Sequence, residues 1–380
     1  MLRTRSLDRF ISFDPTTGVL ECEAGLLLKE ILELTLPQGW FLPVVPGTAL
    51  ATVGGAVAND VHGKNHHRAG CFSHHILELE LSRSDGLRLV CSLQDNPAWF
   101  RATVAGLGLT GLITRVKLQL RRVNGPWIRG DSQRFAGLED FFALSRDADA
   151  GFEYTVAWID CAARGDTLGR GIFMRGNHVP HDQPVPADRA LRLPWTPPVS
   201  LVNRLSLNAF NRLYYWRPGA SQQDVLWHYR SFLFPLDGIL EWNRIYGRKG
   251  FFQYQCVLPW DNALASLSDM LRLVSRSGFG SFLTVLKNFG HAESLGMLSF
   301  ARPGTTLAID FPNRGEATLR LMESLDDITR SVGGAVYPAK DARMSVQSFQ
   351  QYFPAWRDFA KFVDPRFSSS FWRRVVGEAA

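Results

Sequence analysis

The feature that most restricts what this chain can fold into is a glycine-rich stretch between residues 45 and 67. It reads Val45-Pro46-Gly47-Thr48, then Thr52-Val53-Gly54-Gly55-Ala56, then His62-Gly63-Lys64-Asn65-His66-His67. Repeated glycines allow a backbone to approach a flat or phosphorylated ligand and to donate N–H groups to it. A lysine two residues after a histidine adds an anion-binding charge and a group that can transfer a proton. The stretch predicts a ligand site, although ordinary turns also explain glycine clusters.

Histidines are concentrated in the same region, which raises a metal site as an alternative. Five of the nine fall within fourteen residues: His62, His66, His67, His74 and His75. Zinc sites on helices often use histidines four residues apart, but the glycines here argue against a helix. No cysteine or carboxylate in the segment completes a known ligand spacing. We therefore expect no metal, and we expect most of these histidines to lie at the surface or in the core.

Length and composition predict a globular protein of two domains. The chain has 380 residues, more than one ordinary core requires, and 46% of them are hydrophobic. The net charge of +6 is dispersed without a run of five basic residues, so we expect no nucleic-acid partner. No apolar run reaches the roughly 18 residues of a membrane span, and the first residues do not form a signal peptide. The five scattered cysteines predict reduced thiols, and we expect a cytoplasmic location.

Hydrophobic patterning predicts an α+β unit over residues 1–125. Pro37-Gln38-Gly39 ends a leucine-rich helix, Ser84-Asp85-Gly86 predicts a hairpin turn, and Asn96-Pro97 begins a helix. The predicted elements are strands at 19–23, 40–45, 76–82, 87–92 and 112–123, helices at 26–36 and 97–104, and a loop-rich stretch at 46–72.

A second unit is predicted over residues 126–334, followed by a C-terminal segment, 335–380, that returns to the first unit. In the second unit we predict strands at 154–160, 251–258, 281–287 and 305–311, a helix at 316–332, and an exposed Pro- and Arg-rich loop at 180–198. The C-terminal segment is predicted to contain a strand and two helical segments. Pro338 fixes φ and lacks an N–H group, so the chain should turn there and present both Tyr337 and Lys340 to one pocket.

The segment from Leu201 to Trp216 combines apolar and aromatic residues with Arg204, Arg212 and the adjoining Arg217. This combination suits the interface between lipid headgroups and acyl chains, so it predicts peripheral membrane contact. An ordinary buried helix pair is the alternative.

The run VPGT–TVGGAVANDVHGKNHHRAG resembles the flavin-binding core of the vanillyl-alcohol-oxidase superfamily, and within it the bacterial decaprenylphosphoryl-β-D-ribose 2′-oxidase group. The resemblance continues in the same order over nearly the whole chain, through GLGLTGLI, EYTVAWID, EWNRIYG, FFQYQCVLP, SFLTVLKNFG, LAIDFP and GGAVYPAKDAR. It implies an α+β, two-domain flavin oxidase, with a PCMH-type FAD-binding domain in 1–125 and an antiparallel-sheet substrate domain in 126–334. It also implies a non-covalently bound FAD that accepts a hydride from a secondary hydroxyl of a sugar or polyol.

The resemblance further implies which residues form the site. Those matching flavin contacts are Gly47, Thr48, Thr52, Val53, Gly54, Gly55, Asn59, Asp60, Val61, His62, Gly63, Ile113 and Tyr337. Those matching the substrate face are His62, Lys64, Trp158, Gln253, Gln255, Lys287 and Lys340. Gln253 and Gln255 alternate on one strand face, so both can reach one site, although polar residues at the edge of a core would look the same.

Negative charge builds on the hydroxyl oxygen during such an oxidation, and fixed cations stabilise it. Lys340 and Lys64 are the candidate catalytic cations, and Tyr337 and His62 are the candidate proton-transfer groups. A solvated surface lysine is the alternative for Lys340.

Members of this superfamily begin with a further βαβ unit, whose glycine-rich loop binds the FAD pyrophosphate. Nothing before Leu7 can supply that loop, so we expect more sequence upstream. Without it, the strand at 19–23 should lack pairing neighbours, the helix at 26–36 should be partly uncovered, and flavin retention should be weak.

The resemblance implies a sugar-like substrate, with a polyprenyl-phosphate-linked pentose, a cell-wall polysaccharide precursor, as one candidate. It also implies a short-chain reductase as a candidate partner and a site of action at the inner membrane. The alternatives are an alditol or sugar-lactone oxidase, or a truncated non-catalytic homologue that binds no flavin.

Overall fold

Two large antiparallel sheets, with two short two-stranded sheets and with helices packed around them, form this protein, as described for residues 4–181, 183–184, 191–341 and 343–377 by a computed structural model. The elements up to residue 125 are β1 (Phe10–Asp14), β2 (Val19–Glu23), α1 (Leu28–Thr35), β3 (Trp40–Phe41), α2 (Val53–Ala58), α3 (His66–Ala69), β4 (Ile76–Ser82), β5 (Arg88–Cys91), α4 (Pro97–Thr103), β6 (Leu112–Gln119) and β7 (Arg121–Arg122).

The first sheet has the strand order β1-β2-β6-β4-β5. The predicted β4–β5 hairpin is confirmed, with Leu79 opposite Cys91. The expectation that the strand at 19–23 lacks neighbours is wrong, because β2 pairs with β1 on one side and with β6 on the other. The strand β1 escaped prediction because most of its side chains are exposed, which leaves no alternating apolar pattern.

The elements from residue 126 to residue 334 are β8 (Trp127–Phe135), α5 (Leu138–Asp149), β9 (Tyr154–Ile159), β10 (Gly171–Val179), β11 (Leu191–Arg192), α6 (Arg204–Trp216), β12 (Gln222–His228), α7 (Tyr229–Leu233), β13 (Ile239–Leu240), β14 (Phe251–Leu258), α8 (Trp260–Ser277), β15 (Thr284–Phe289), β16 (Gly304–Pro312) and α9 (Glu316–Ser331). They build a larger sheet in the order β12-β8-β10-β9-β15-β16-β14-β17, in which β17 is Ala335–Val336.

The two faces of the larger sheet differ in chemistry. Alternate residues of β14, Tyr254, Cys256 and Leu258, are buried in a core shared with α5, α8 and α9. Because successive strand residues point to opposite faces, Gln253 and Gln255 lie on the other face. The helices therefore cover one face and leave the other to meet the glycine-rich stretch.

The C-terminal part contains α10 (Val346–Tyr352), α11 (Trp356–Ala360) and α12 (Ser370–Val376), one more helix than predicted. Phe349 and Trp372 pack in the core of the larger sheet's helical layer. Asp364 connects the segment to the first sheet, because its buried carboxylate accepts hydrogen bonds from the backbone N–H and the hydroxyl of Ser84. The C-terminal part thus contacts both sheets.

Several predicted element bounds are wrong. The stretch 46–72 is not simply a loop, because α2 and α3 lie in it. The strand at 40–45 is only Trp40–Phe41, and the strand at 112–123 is interrupted at Leu120. Part of the predicted 180–198 loop (182 and 185–190) lies outside the described residues, and Leu191–Arg192 within it pairs with β13. None of the described helices is both long and apolar enough to cross a membrane.

Candidate active site

Polar side chains form a row on the uncovered face of the larger sheet. Residues directly opposite each other on paired strands share a face, and Gln253 lies opposite Asp310. One step along, Gln255, Ala308, Val285 and Trp158 lie side by side across β14, β16, β15 and β9, respectively. Lys287 and Thr306 form the next cross-strand pair on this face. The register therefore brings together five residues predicted for the substrate face: Trp158, Gln253, Gln255, Lys287 and, through its contact with this row, His62.

His62 joins the glycine-rich stretch to this row. Its Nε2 lies 3.0 Å from Nε2 of Gln255, and its Nδ1 lies 3.3 Å from Nζ of Lys287. Gln255 also donates to the Thr306 hydroxyl at 3.0 Å. Burial, followed by the positive charge of Lys287, holds the pKa of His62 well below its usual value. The imidazole is therefore neutral at physiological pH and is held from both ring nitrogens.

The three predicted lysines contribute to one positive region. Burial, together with the charges of Lys340 and Lys64, lowers the pKa of Lys287 to about 7. Burial alone lowers the pKa of Lys64 to about 7, and its ammonium group donates to the carbonyl of Phe232 and lies 5.0 Å above that ring. Burial also lowers the pKa of Lys340, an effect that Asp310 opposes. Desolvation therefore disfavours the charged form of each lysine, and an anion bound beside them would restore it.

The predicted turn at Pro338 is confirmed. Tyr337 precedes a single 3₁₀ turn, Pro338–Lys340, so both side chains approach the site from the end of β17. The Tyr337 hydroxyl donates to the carbonyl of Asn59 at 2.9 Å, and its ring stacks on Phe300 at 4.6 Å. Burial raises the pKa of Tyr337, so its hydroxyl stays protonated at physiological pH. Tyr337 thereby fixes the end of α2 and is not free to accept a proton.

Asp60, just after α2, holds neighbouring segments together through its carboxylate. Its carboxylate accepts from the backbone of Ser73 at 3.1 Å and from the hydroxyl of Ser299 at 2.6 Å. Its φ of +41° places the backbone in the left-handed region, which only a few non-glycine residues adopt. Both contacts hold the loop after α2, which contains Asn59 to Gly63 and therefore His62.

A cavity of about 530 Å³ lies at the other end of α2 and has a glycine-rich wall. Four residues predicted for the flavin, Thr52, Gly54, Gly55 and Ile113, line it. Gly111 also lines it, with a φ of +144°, and a Cβ there would lie 2.8 Å from the Ser82 carbonyl. The opposite wall comes from residues 366–369 of the C-terminal part. This cavity is therefore the candidate site for the phosphate and adenosine half of a dinucleotide.

The N–H groups of Gly54 and Gly55 are used within the fold. Gly54 donates to the carbonyl of Ala24 at 2.7 Å, and Gly55 donates to the hydroxyl of Thr52, which caps α2. Val53 is fully buried and donates to Leu26. Gly54 and Gly55 therefore offer the cavity a close backbone surface without free N–H donors.

Gly47 and Thr48, also predicted for the flavin, do not line the cavity. Gly47 is exposed with no atom within 4 Å of its ideal Cβ, and the Thr48 hydroxyl accepts from the backbone of Leu50 at 3.1 Å.

Trp158, which is predicted for the substrate face, is 3% exposed and donates from its indole to the carbonyl of Phe282 at 2.8 Å. Its ring packs against the ring of Tyr214 on α6, with the two ring centroids 4.7 Å apart, and so forms the wall of the site next to that helix.

The other four clustered histidines serve the local fold. His66, His67 and His75 bond to backbone atoms of Gly290, Phe152 and Ala69, and His74 bonds to backbone atoms of Cys71 and Glu293. No group of three metal-binding side chains occurs among the described residues.

Sequence reasoning missed Asp310, which is 7% exposed and faces the row beside Gln253. It also missed Arg366, Ser368 and Ser369 in the cavity wall. The motif LAIDFP carried a usable signal for Asp310, because a charged residue in an otherwise apolar strand is rarely buried without a role.

Comparison with known proteins identifies relatives of this chain. A family model described as an FAD binding domain matches residues 1–92. Decaprenylphosphoryl-β-D-ribose oxidase of Mycolicibacterium smegmatis is 34% identical over 97% of this chain and 83% of that protein. An uncharacterised protein of Streptomyces coelicolor is 33% identical over 92% of this chain and 100% of that protein. D-arabinono-1,4-lactone oxidase of Yarrowia lipolytica is 28% identical, over 30% of this chain and 22% of that protein.

Proposed function

This chain belongs to the family that includes decaprenylphosphoryl-β-D-ribose oxidase, and from this premise we propose that it oxidises a secondary hydroxyl of a sugar or polyol. It is an FAD-dependent oxidoreductase acting on CH–OH groups. The substrate class that fits best is a polyprenyl-phosphate-linked pentose. The observation that carries the proposal is the polar row of the larger sheet meeting the glycine-rich stretch through His62 and Gln255.

The cofactor is FAD, and we propose that it extends from one end of α2 to the other. Thr52, Gly54, Gly55 and Ile113 would hold the adenosine and phosphate half in the cavity, while Asn59 to Gly63 and Tyr337 would border the ring. Both nitrogens of His62 are engaged with Gln255 and Lys287, which favours a flavin held without a covalent bond. When bound, FAD accepts the hydride that leaves the carbinol carbon.

The residues around the substrate would orient it and stabilise developing charge. Gln253 and Gln255 present amides to sugar hydroxyls, and Trp158 offers an apolar wall. Lys340 is the candidate for stabilising the hydroxyl oxygen as it loses its proton, because a fixed cation in a desolvated site acts on charge formed in the transition state. Lys64 and Lys287 raise the local positive potential, which also favours a phosphate-bearing substrate.

The proposal divides the chain into an FAD-binding domain, 1–125, a substrate domain, 126–334, and a C-terminal segment, 335–380. Two observations support it: most buried residues of 1–125 and most of those of 126–334 fall in different core clusters, and the C-terminal segment contributes both Lys340 and a wall of the cavity. The proposal also includes a short-chain reductase as partner and a cytoplasmic location at the inner membrane.

Peripheral membrane contact through α6 is part of the proposal. Leu205, Leu213 and Trp216 expose 82%, 72% and 60% of their surface. The opposite side of the helix buries Leu207 and Tyr215 next to the site. Exposed apolar residues on a helix that also carries arginines suit a membrane containing anionic lipid, and they argue against a fully buried helix pair.

Replacing Arg204, Arg212 and Arg217 together with serine should weaken binding to anionic vesicles by roughly 100-fold in low salt, since each basic residue near such a surface contributes ~1 kcal/mol. Vesicle co-sedimentation measures this. A matched triple replacement of Arg272, Arg320 and Arg357, which are exposed on other helices, should leave binding unchanged. Equal binding by the first variant and the parent protein would remove the membrane contact from the proposal.

Anaerobic mixing of the FAD-loaded protein with candidate substrates tests the proposed function. A short-chain prenylphosphoryl-β-D-ribose should bleach the visible flavin band, whereas D-arabinitol and D-arabinono-1,4-lactone should do so slowly or not at all. Faster bleaching by the alditol or the lactone would instead support the corresponding oxidase. Failure of the protein to bind FAD would support the truncated non-catalytic homologue, and bound flavin that none of these compounds bleaches would contradict the proposed function.

A further inference from the structure

Asp310 occupies a central place in the site that no sequence motif assigned to it. It lies on β16 directly opposite Gln253, on the same face as Gln255 and Lys287. Its side chain is 7% exposed, and Nε2 of Gln253 donates to its Oδ1 at 3.1 Å. A buried carboxylate fixed by a neighbouring amide has one defined orientation.

The second oxygen of this carboxylate is available. In the described part of the chain, Oδ2 of Asp310 accepts no hydrogen bond, whereas both oxygens of Asp60 are engaged with Ser73 and Ser299. The positive charge of Lys340 favours the ionised form of Asp310, yet the described residues show no direct ion pair between the two. A substrate hydroxyl placed between them could donate to one and accept from the other.

The groups suggested by sequence for proton transfer are not free to accept a proton. Tyr337 uses its hydroxyl as a donor to Asn59. His62 has Gln255 at one ring nitrogen and Lys287 at the other. A neutral imidazole has only one acceptor nitrogen, and using it here would require a contact to break.

We propose that Asp310 accepts the substrate's hydroxyl proton through Oδ2. The inference rests on the proposed function. In the step, the O–H bond breaks and its proton passes to the carboxylate. The C–H bonding pair leaves as hydride to FAD, and the carbon–oxygen double bond forms. The carboxylic acid later releases its proton to solvent, which restores Asp310.

The electrostatics suit this role. Burial raises the pKa of Asp310 to about 6, against the opposing effects of Lys340 and the Gln253 hydrogen bond. The other titratable groups of the site are His62, Lys64, Lys287, Lys340 and Tyr337, and the pKa of Tyr246 also responds to the charge of Asp310. A carboxylate of this pKa is mostly ionised at neutral pH and is a stronger base than an ordinary aspartate.

Stopped-flow reduction of the FAD-loaded protein by prenylphosphoryl-β-D-ribose across pH tests the inference. In the parent protein the rate should fall as pH drops through about 6, because protonated Asp310 cannot accept a proton. Asp310→Asn keeps the shape without the charge, and it should slow reduction by roughly 10²–10⁴-fold and abolish this acid limb. In Asp310→Glu the rate of flavin reduction should still fall at low pH, but around a shifted pH.

Asp326→Asn is the matched control. Burial raises the pKa of Asp326 to about 6 as well, but this residue lies on α9 and bonds to Arg343 away from the site. Its variant should keep the parental limb. The inference is overturned if Asp310→Asn, with full flavin occupancy, keeps the acid limb and reacts within a few-fold of the parental rate. If Asp310→Asn fails to bind flavin, an unshifted limb in Asp310→Glu overturns it instead. A parent protein that binds FAD but is reduced by no sugar contradicts the proposed function itself.

Discussion

Replacing Lys340 with methionine should slow reduction of the flavin by the sugar substrate roughly 10²–10³-fold, because it removes one fixed charge from a desolvated site. Methionine retains much of the side-chain volume, and Lys340 makes no hydrogen bond through its ammonium group to any described residue, so the fold should be preserved. The loss should therefore appear in the rate of reduction, while FAD binding stays nearly normal. Anaerobic stopped-flow measurement at saturating substrate gives the rate of flavin reduction separately from the binding of FAD.

Lys361→Met is the control for this change. Lys361 lies in the same C-terminal part but is exposed and paired with Asp358 at 2.7 Å. Its replacement should leave the rate unchanged. A parental rate in Lys340→Met would identify Lys340 as a surface lysine and would remove it as the catalytic cation.

Replacing Gly54 with valine should lower FAD affinity by roughly 10- to 100-fold, which corresponds to the usual cost of overpacking a filled site. The Cβ of any larger residue at this position would lie 3.0 Å from Cβ of Ala24 and 3.1 Å from its carbonyl oxygen. The side chain would therefore be forced against the first sheet or into the cavity. Titration with FAD, followed by quenching of flavin fluorescence, gives the affinity.

Gly151→Val provides the comparison, since no atom lies within 4 Å of the ideal Cβ there and its φ is not positive. Thermal unfolding of the FAD-free proteins distinguishes a lost cavity from a lost fold. If Gly54→Val folds and binds FAD like the parent protein, the cavity does not hold the cofactor.

Local patterns predicted the elements in which burial follows a regular period. The strand Phe251–Leu258 has the predicted bounds, and the helix predicted at 316–332 is observed at Glu316–Ser331. The helix α8 could have been found in the same way, because Ala263, Leu267 and Met270 recur at helical spacing on its buried side.

Other elements could not be read from local pattern because their sequence argues against them. Gly130 and Gly176 lie inside β8 and β10, where glycine usually weakens a strand. A Cβ on Gly130 would lie 1.8 Å from the carbonyl of Arg175, so the close approach of the two strands requires glycine. That requirement arises only when the strands are paired.

In the site too, local pattern predicted some features, whereas others depend on contacts between distant residues. Alternation placed Gln253 and Gln255 on one face, and Pro338 predicted the turn that brings Tyr337 and Lys340 to one place. Asp310 was missed because its importance depends on cross-strand register. The contact of Lys64 with Phe232 joins residues 168 positions apart, which no local pattern encodes. The upstream βαβ unit stays a prediction.

The visible spectrum of the purified protein, titrated with FAD and then mixed anaerobically with prenylphosphoryl-β-D-ribose, tests the central claim most directly. We expect saturable binding of FAD, a flavin band altered by the protein environment, and loss of that band when the sugar is added. A protein whose spectrum shows no bound flavin at saturating FAD, or whose bound flavin stays oxidised with this and every other sugar or polyol, would contradict it.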